Sequence, residues 1–148
     1  MSLFSKLFGN SKTEKPSALS KTSKMGFLDT GIKSYNYDVV GESNYQLALK
    51  DIAGGYRRES QYIECEAEIH LEPDNPYDPN AVKVVIENEV VGYIPAKDAT
   101  RVGNSLRDFG LTGAYVDGQI RGGWKTNDSD VGHFGVKLKL PKVGRLNF

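Results

Sequence analysis

The run Leu71-Glu72-Pro73-Asp74-Asn75-Pro76-Tyr77-Asp78-Pro79-Asn80-Ala81-Val82-Lys83-Val84, followed by Val90-Val91-Gly92-Tyr93-Ile94-Pro95, decides how the rest of the chain is read. Three of the six prolines fall within seven residues here. Each fixes its own φ and pushes the preceding residue towards an extended or turn conformation. Asp74, Asn75, Asp78 and Asn80 are residues whose side chains bond their own backbone in turns. The segment therefore reads as a stiff loop, not a linker. Before it, Ile63, Cys65, Ala67, Ile69 and Leu71 alternate with Tyr62, Glu64, Glu66, Glu68 and His70, the period of a half-buried strand over 61–72. After it, residues 81–87 are short and β-branched. A rigid loop presenting a Tyr and an Asp between two strands is a natural place for a site.

Working outward, Tyr35 to Gly41 reads as a first strand and Asn44 to Ala53 as a short helix, with Asn44 as its N-cap and Gly54-Gly55 as its stop. Residues 81–87 and 90–94 form a hairpin turning at Asn88-Glu89. Pro95 opens a second helix in its first turn, and Ala99, Val102, Leu106 and Phe109 give it one apolar face ending at Gly110. Residues 114–121 and 133–140 are two further strands, joined by a mobile loop over 122–130. About six short strands and two short helices with frequent turn signals predict a mainly β fold, a small OB/SH3-like barrel. The expected domain spans 33–142, with a disordered or loosely attached basic tail at 1–32 and a C-terminal tail at 143–148. Within the first tail, Leu3, Phe4, Leu7 and Phe8 share a helical stripe too short to be stable alone. It reads as a frayed terminus or as an anchor for a membrane surface or a protein partner.

The 148-residue chain has a formal net charge of zero, unevenly spread. Residues 1–33 carry +4, residues 34–120 carry −8 and residues 121–148 carry +4. An acidic centre opposes polyanion binding unless the fold segregates its carboxylates. No apolar run approaches the ~18 residues of a membrane span, and no signal-peptide core is visible, so the cytoplasm is the expected location. Cys65 is the single cysteine and reads as a small buried apolar residue, not a nucleophile. With two histidines, His70 and His133, no zinc site of Cys/His type is expected. The glutamates at 64, 66 and 68 read as a solvated strand face, so neither metal nor cofactor is expected. No P-loop, GxGxxG or serine–histidine–aspartate set can be assembled. A non-enzymatic binding module is the expectation, with a small hydrolase a distant third reading.

The pattern Val39-Val40-Gly41, then Leu71-x-Pro73-x-Asn75-Pro76-Tyr77-Asp78-x-Asn80-Ala81-Val82-x-Val84, then Val91-Gly92-Tyr93-Ile94-Pro95, resembles the HIRAN domain family over about residues 35–125. The resemblance implies a small barrel close to OB and SH3 folds. Such domains begin eukaryotic DNA-damage-tolerance helicases and also occur as short free-standing bacterial or phage proteins. A helicase-linked member holds the 3′ end of single-stranded DNA. By resemblance, this chain is a free-standing member that binds single-stranded DNA or DNA 3′ ends in DNA repair or replication. The helicase motifs that follow the domain in larger relatives are absent, so no ATPase is implied. The alternative is a protein-interaction adaptor using the N-terminal apolar stripe or the Tyr77 loop.

Base stacking needs π-faces and phosphate needs donors. The resemblance carries the terminal-nucleotide contacts to Tyr77 and Asp78. A carboxylate at Asp78 would accept a bond from a free 3′-hydroxyl and repel a phosphate. The competing reading has Asp78 cap its own turn and Tyr77 cover the barrel end. Tyr93, Tyr45, Asn44, Lys97 and Trp124 complete the candidate set. Several positions depart from the DNA-binding pattern. Ser43 and Asn44 replace an Arg-Tyr pair, with Tyr45 adjoining; Tyr93 replaces a histidine. Ala96 replaces a lysine, with Lys97 adjoining, and Gly122 replaces a stacking aromatic two residues before Trp124.

Overall fold

The computed structural model describes residues 23–28 and 30–148, so the Leu3/Phe4/Leu7/Phe8 stripe lies outside the described residues. In chain order these residues form β1 (Met25–Phe27), β2 (Tyr37–Asp38), a 3-10 turn (Glu42–Asn44) and α1 (Gln46–Ala53). Then come β3 (Gln61–Leu71), β4 (Val82–Ile86), β5 (Glu89–Tyr93) and α2 (Ala96–Asp108). β6 (Gly113–Gly122), β7 (Lys125–Asn127), β8 (Asp130–Val131) and β9 (Gly135–Leu138) complete the chain. The main sheet runs β2-β9-β6-β3-β4-β5, all pairs antiparallel, and β1 adds in parallel to the start of β6. The sheet curls into a half-barrel. Its outer strands meet where Val40 and Tyr93 exchange N–H···O bonds of 2.9 and 2.8 Å. The small mainly β barrel expected from the sequence is the fold observed.

The alternation in β3 becomes geometry: Ala67 and Ile69 are buried while Tyr62, Glu64 and Glu66 face solvent. β3 pairs with β6 along its length, from Gln61↔Gly122 to His70↔Gly113. Val82, Val84, Ile86, Val91, Ile120, Val136 and Leu138 fill the barrel interior from the neighbouring strands. α2 caps this core with Ala99, Val102 and Leu106, the spacing that its sequence predicts. Burying each such Val or Leu side chain contributes about 1.5–3 kcal/mol. No helix among the described residues is long and apolar enough to cross a membrane.

Several boundaries differ from the sequence reading. Asn44 does not cap α1: a 3-10 turn consumes Glu42–Asn44 and Tyr45 takes the N-cap position without a side-chain bond. Gln46 secures this corner instead, donating to Glu42 O and Phe134 O and accepting from Phe134 N–H. Pro95 is the N-cap residue of α2, extended at ψ 140°, and Phe109 lies past the helix end with 42% of its surface exposed. The β4–β5 turn is centred on Glu87-Asn88, both at positive φ (49° and 67°), the backbone that matches the twist of a tight hairpin. The expected loop at 122–130 is instead the β7–β8 hairpin, held by Thr126 Oγ1 donating to Asp130 at 2.6 Å and by Asn127 Oδ1 accepting from Ser129 N–H. The packed unit also extends past 33–142. Met25–Phe27 pairs with β6, and Leu146 is fully buried with its N–H bonded to Ser105 Oγ.

Candidate nucleic-acid interface

The proline-rich loop closes β3 onto β4, and its shape follows from two side chains. Asn75 Oδ1 accepts the N–H groups of Tyr77 (2.8 Å) and Asp78 (3.0 Å), an Asx-type turn. Asp78 Oδ1 accepts Asn80 N–H at 2.9 Å, and Asp78 O accepts Ala81 N–H at 3.0 Å. Glu72 N–H donates to Ala81 O and seals the base of the loop. With its backbone satisfied locally, the loop can hold the Tyr77 ring 95% exposed.

Beside this ring lies a shallow groove of about 510 Å³, lined by Asn44, Tyr45, Glu72, Asp74, Asn75, Pro76, Tyr77 and Tyr93. Three segments far apart in sequence build it: the turn before α1, the loop and the end of β5. The Val40–Tyr93 pair brings the first of these against the third. Gly92 permits that approach, because a Cβ there would sit 2.5 Å from Val39 Cγ1 and 2.7 Å from Val40 O. Tyr93 donates its hydroxyl to Glu72 Oε1 at 2.7 Å. Burial, and then this bond, hold the Tyr93 phenol well above its ordinary pKa, with the Tyr45 hydroxyl adding to the effect. Its role at neutral pH is therefore that of a neutral aromatic donor.

Of the sequence-predicted site residues, Tyr77, Tyr93, Tyr45 and Asn44 converge on this groove. Asp78 sits half-buried on the same loop, just beyond the lining, with one carboxylate oxygen engaged at the turn. Its capping role and an outward role are compatible, since Oδ2 has no hydrogen-bond partner among the described residues. Lys97 lines a different groove, with Asn36, Tyr37, Asp38, Val40, Pro95, Asp98 and Lys142. It lies across the Val40–Tyr93 rib, and its Nζ is 3.9 Å from Asp98 Oδ2. Trp124 does not line this groove. It follows the end of β6 that pairs with Gln61, whereas the loop springs from the opposite end of β3 at Leu71. Its backbone bridges to Arg57, and its indole packs so closely on Gly132 that a Cβ there would meet Nε1 at 2.0 Å.

The residues missed by sequence reasoning are Glu72 and Asp74 as groove walls and Asn75 as a wall as well as a turn former. Among the described residues no cation lines the groove. Lys83, paired across the strands with Tyr93, adjoins it with Nζ 3.8 Å from Glu72 Oε2. Such a groove offers π-faces, hydroxyl donors and carboxylate acceptors. Elsewhere, burial pushes the Cys65 thiol up to about 11, which keeps it protonated and poorly nucleophilic at neutral pH.

Residues 33–119 match the family model described as the HIRAN domain. No curated protein and no solved structure matches the chain. HIRAN domains are in general nucleic-acid-binding modules. The match spans more than half of the chain and takes in the loop, the groove and the Val40–Tyr93 seam, and this protein belongs to the HIRAN-domain family.

Proposed function

We propose that this protein is a non-enzymatic nucleic-acid-binding module that receives the 3′ end of single-stranded DNA, in DNA repair or replication in the cytoplasm. The observation that carries the reading is the convergence of Tyr45, Tyr77 and Tyr93 with Asn44 on one groove beside Asp78. A terminal base stacks on the exposed Tyr77 ring, the sequence-tolerant contact that single strands use. The sugar end faces Asn44, Glu72 and Asp78, where a hydroxyl finds acceptors and a phosphate finds like charge. Phosphates further from the end pass over the Val40–Tyr93 rib towards Lys97 and Lys142, which share the adjoining groove with Asp38 and Asp98. With few cations among the described residues at these grooves, they contribute little electrostatic attraction and the affinity is modest.

The test is a titration of fluorescent single strands ending in a free or a phosphorylated 3′-hydroxyl, at two salt concentrations. The proposal expects tighter binding to the free end and a shallow salt dependence. Equal binding to both ends would remove the end preference. No binding to any strand at either salt would leave the exposed Tyr77 loop as a protein-docking surface.

A further inference from the structure

We infer that Glu72 is the specificity-determining and positioning residue of the groove, holding its two aromatic walls in register while its charge bars a terminal phosphate. This rests on the reading of the groove as a nucleic-acid site. Glu72 Oε1 accepts two bonds at once, from Tyr93 Oη at 2.7 Å and from Asn75 Nδ2 at 2.6 Å. Asn75 in turn uses its other amide atom, Oδ1, to hold the N–H groups of Tyr77 and Asp78. One carboxylate thus links the end of β5 to the backbone that aims the Tyr77 ring. Asn75 cannot flip its amide without losing both sets of bonds, so the Glu72 acceptor also fixes which way the turn is made. The side chain is only 20% exposed, so its charge is poorly screened where it faces the groove. Lys83, the cross-strand neighbour of Tyr93, offsets part of that charge at 3.8 Å from Oε2, the oxygen that does not take Tyr93's bond.

The two roles separate by substitution. In Glu72→Gln the remaining Oε1 still accepts from Tyr93 and Asn75, while the charge is lost and Lys83 is released. In Glu72→Ala both bonds are lost. Binding is read with single strands bearing a 3′-hydroxyl or a 3′-phosphate, and the turn is read by hydrogen exchange of the Tyr77 and Asp78 amides without any nucleic acid. For Glu72→Gln the expected result is that the ratio of Kd values for the phosphate and hydroxyl ends falls roughly three- to tenfold, while the Tyr77 and Asp78 amides exchange as in wild type. For Glu72→Ala the expected result is faster exchange of the Tyr77 and Asp78 amides, with the Val84 amide in β4 unchanged, and weaker binding of the hydroxyl end. Wild-type discrimination in Glu72→Gln would overturn the charge filter. Unchanged amide exchange in Glu72→Ala would overturn the positioning role. If wild type binds neither strand, the nucleic-acid reading and the filter fail together, and the exchange measurement still decides whether Glu72 holds the loop.

Discussion

Removing the Tyr77 ring separates binding from stability more cleanly than any other change at this groove. The ring is 95% exposed, so Tyr77→Ala gives up almost no packing. The turn beneath it is made by Asn75 Oδ1 and by the Tyr77 backbone N–H, both of which survive the substitution. The cost in fold stability therefore stays within about 0.5 kcal/mol, the range of ordinary surface changes. Loss of base stacking costs about 1–3 kcal/mol. At 1.4 kcal/mol per tenfold, that is roughly a five- to 150-fold rise in Kd. Tyr77→Phe keeps the π-face and is expected to bind within about twofold of wild type. Fluorescence anisotropy with a labelled single strand measures Kd, and thermal melting of the same samples measures stability. If Tyr77→Ala binds like wild type at an unchanged Tm, the ring is not a stacking platform and the proposed function loses its main support.

Gly92→Ala forces a Cβ to within 2.7 Å of Val40 O at the seam, so it is expected to cost about 1–3 kcal/mol and lower Tm by several degrees, with weaker strand binding alongside. Leu146→Ala removes a fully buried side chain and is expected to cost about 2–5 kcal/mol by denaturant unfolding, which would make the last residues part of the core and not a tail. Tyr37 gives an alkaline signature. Burial and its hydroxyl bond to Asp98 raise its pKa above the ordinary 10.0, so its contribution is complete below about pH 10 and is lost as pH rises through the folded value. Tyr37→Phe is therefore expected to melt lower at neutral pH but to lose stability less steeply above pH 10, as read by Tm against pH.

Much of the fold was legible because the deciding signals are local. Ile63 to Leu71 alternate because β3 has one face on the core, and Ala99, Val102 and Leu106 recur at helical spacing because α2 lies across it. Turn geometry was less legible. Asn44 has the chemistry of a cap, but Gln46 reaches Phe134, 88 residues away, and fixes the corner by a contact with no local trace. The β4–β5 turn went to Glu87-Asn88 although glutamate is a poor left-handed residue, because pairing of Val85 with Val90 leaves the turn no other place. At the site, Tyr77 stood out from its run, Tyr93 came with the family pattern, and Tyr45 came as the neighbour of the two positions that depart from it. Glu72 did not stand out, since its meaning lies in a bond to Tyr93 across 21 residues. The acidic tally of the central segment could not say that Glu72 and Asp74 face the groove while Glu64 and Glu66 point to solvent from β3.

The way the half-barrel is shut also limits how anything can be recognised there. β5 is the last strand of the sheet, and an open last strand invites a foreign peptide to hydrogen-bond alongside it. Here the Val40 bridge occupies the Tyr93 end of that edge, and α1 and the 3-10 turn pack against the strand. A partner therefore meets α1, the 3-10 turn and the Val40 bridge along β5, not an open edge to copy its own backbone onto. Molecules that approach this side must be told apart by side chains, and the chain spends its stiffest loop on presenting them.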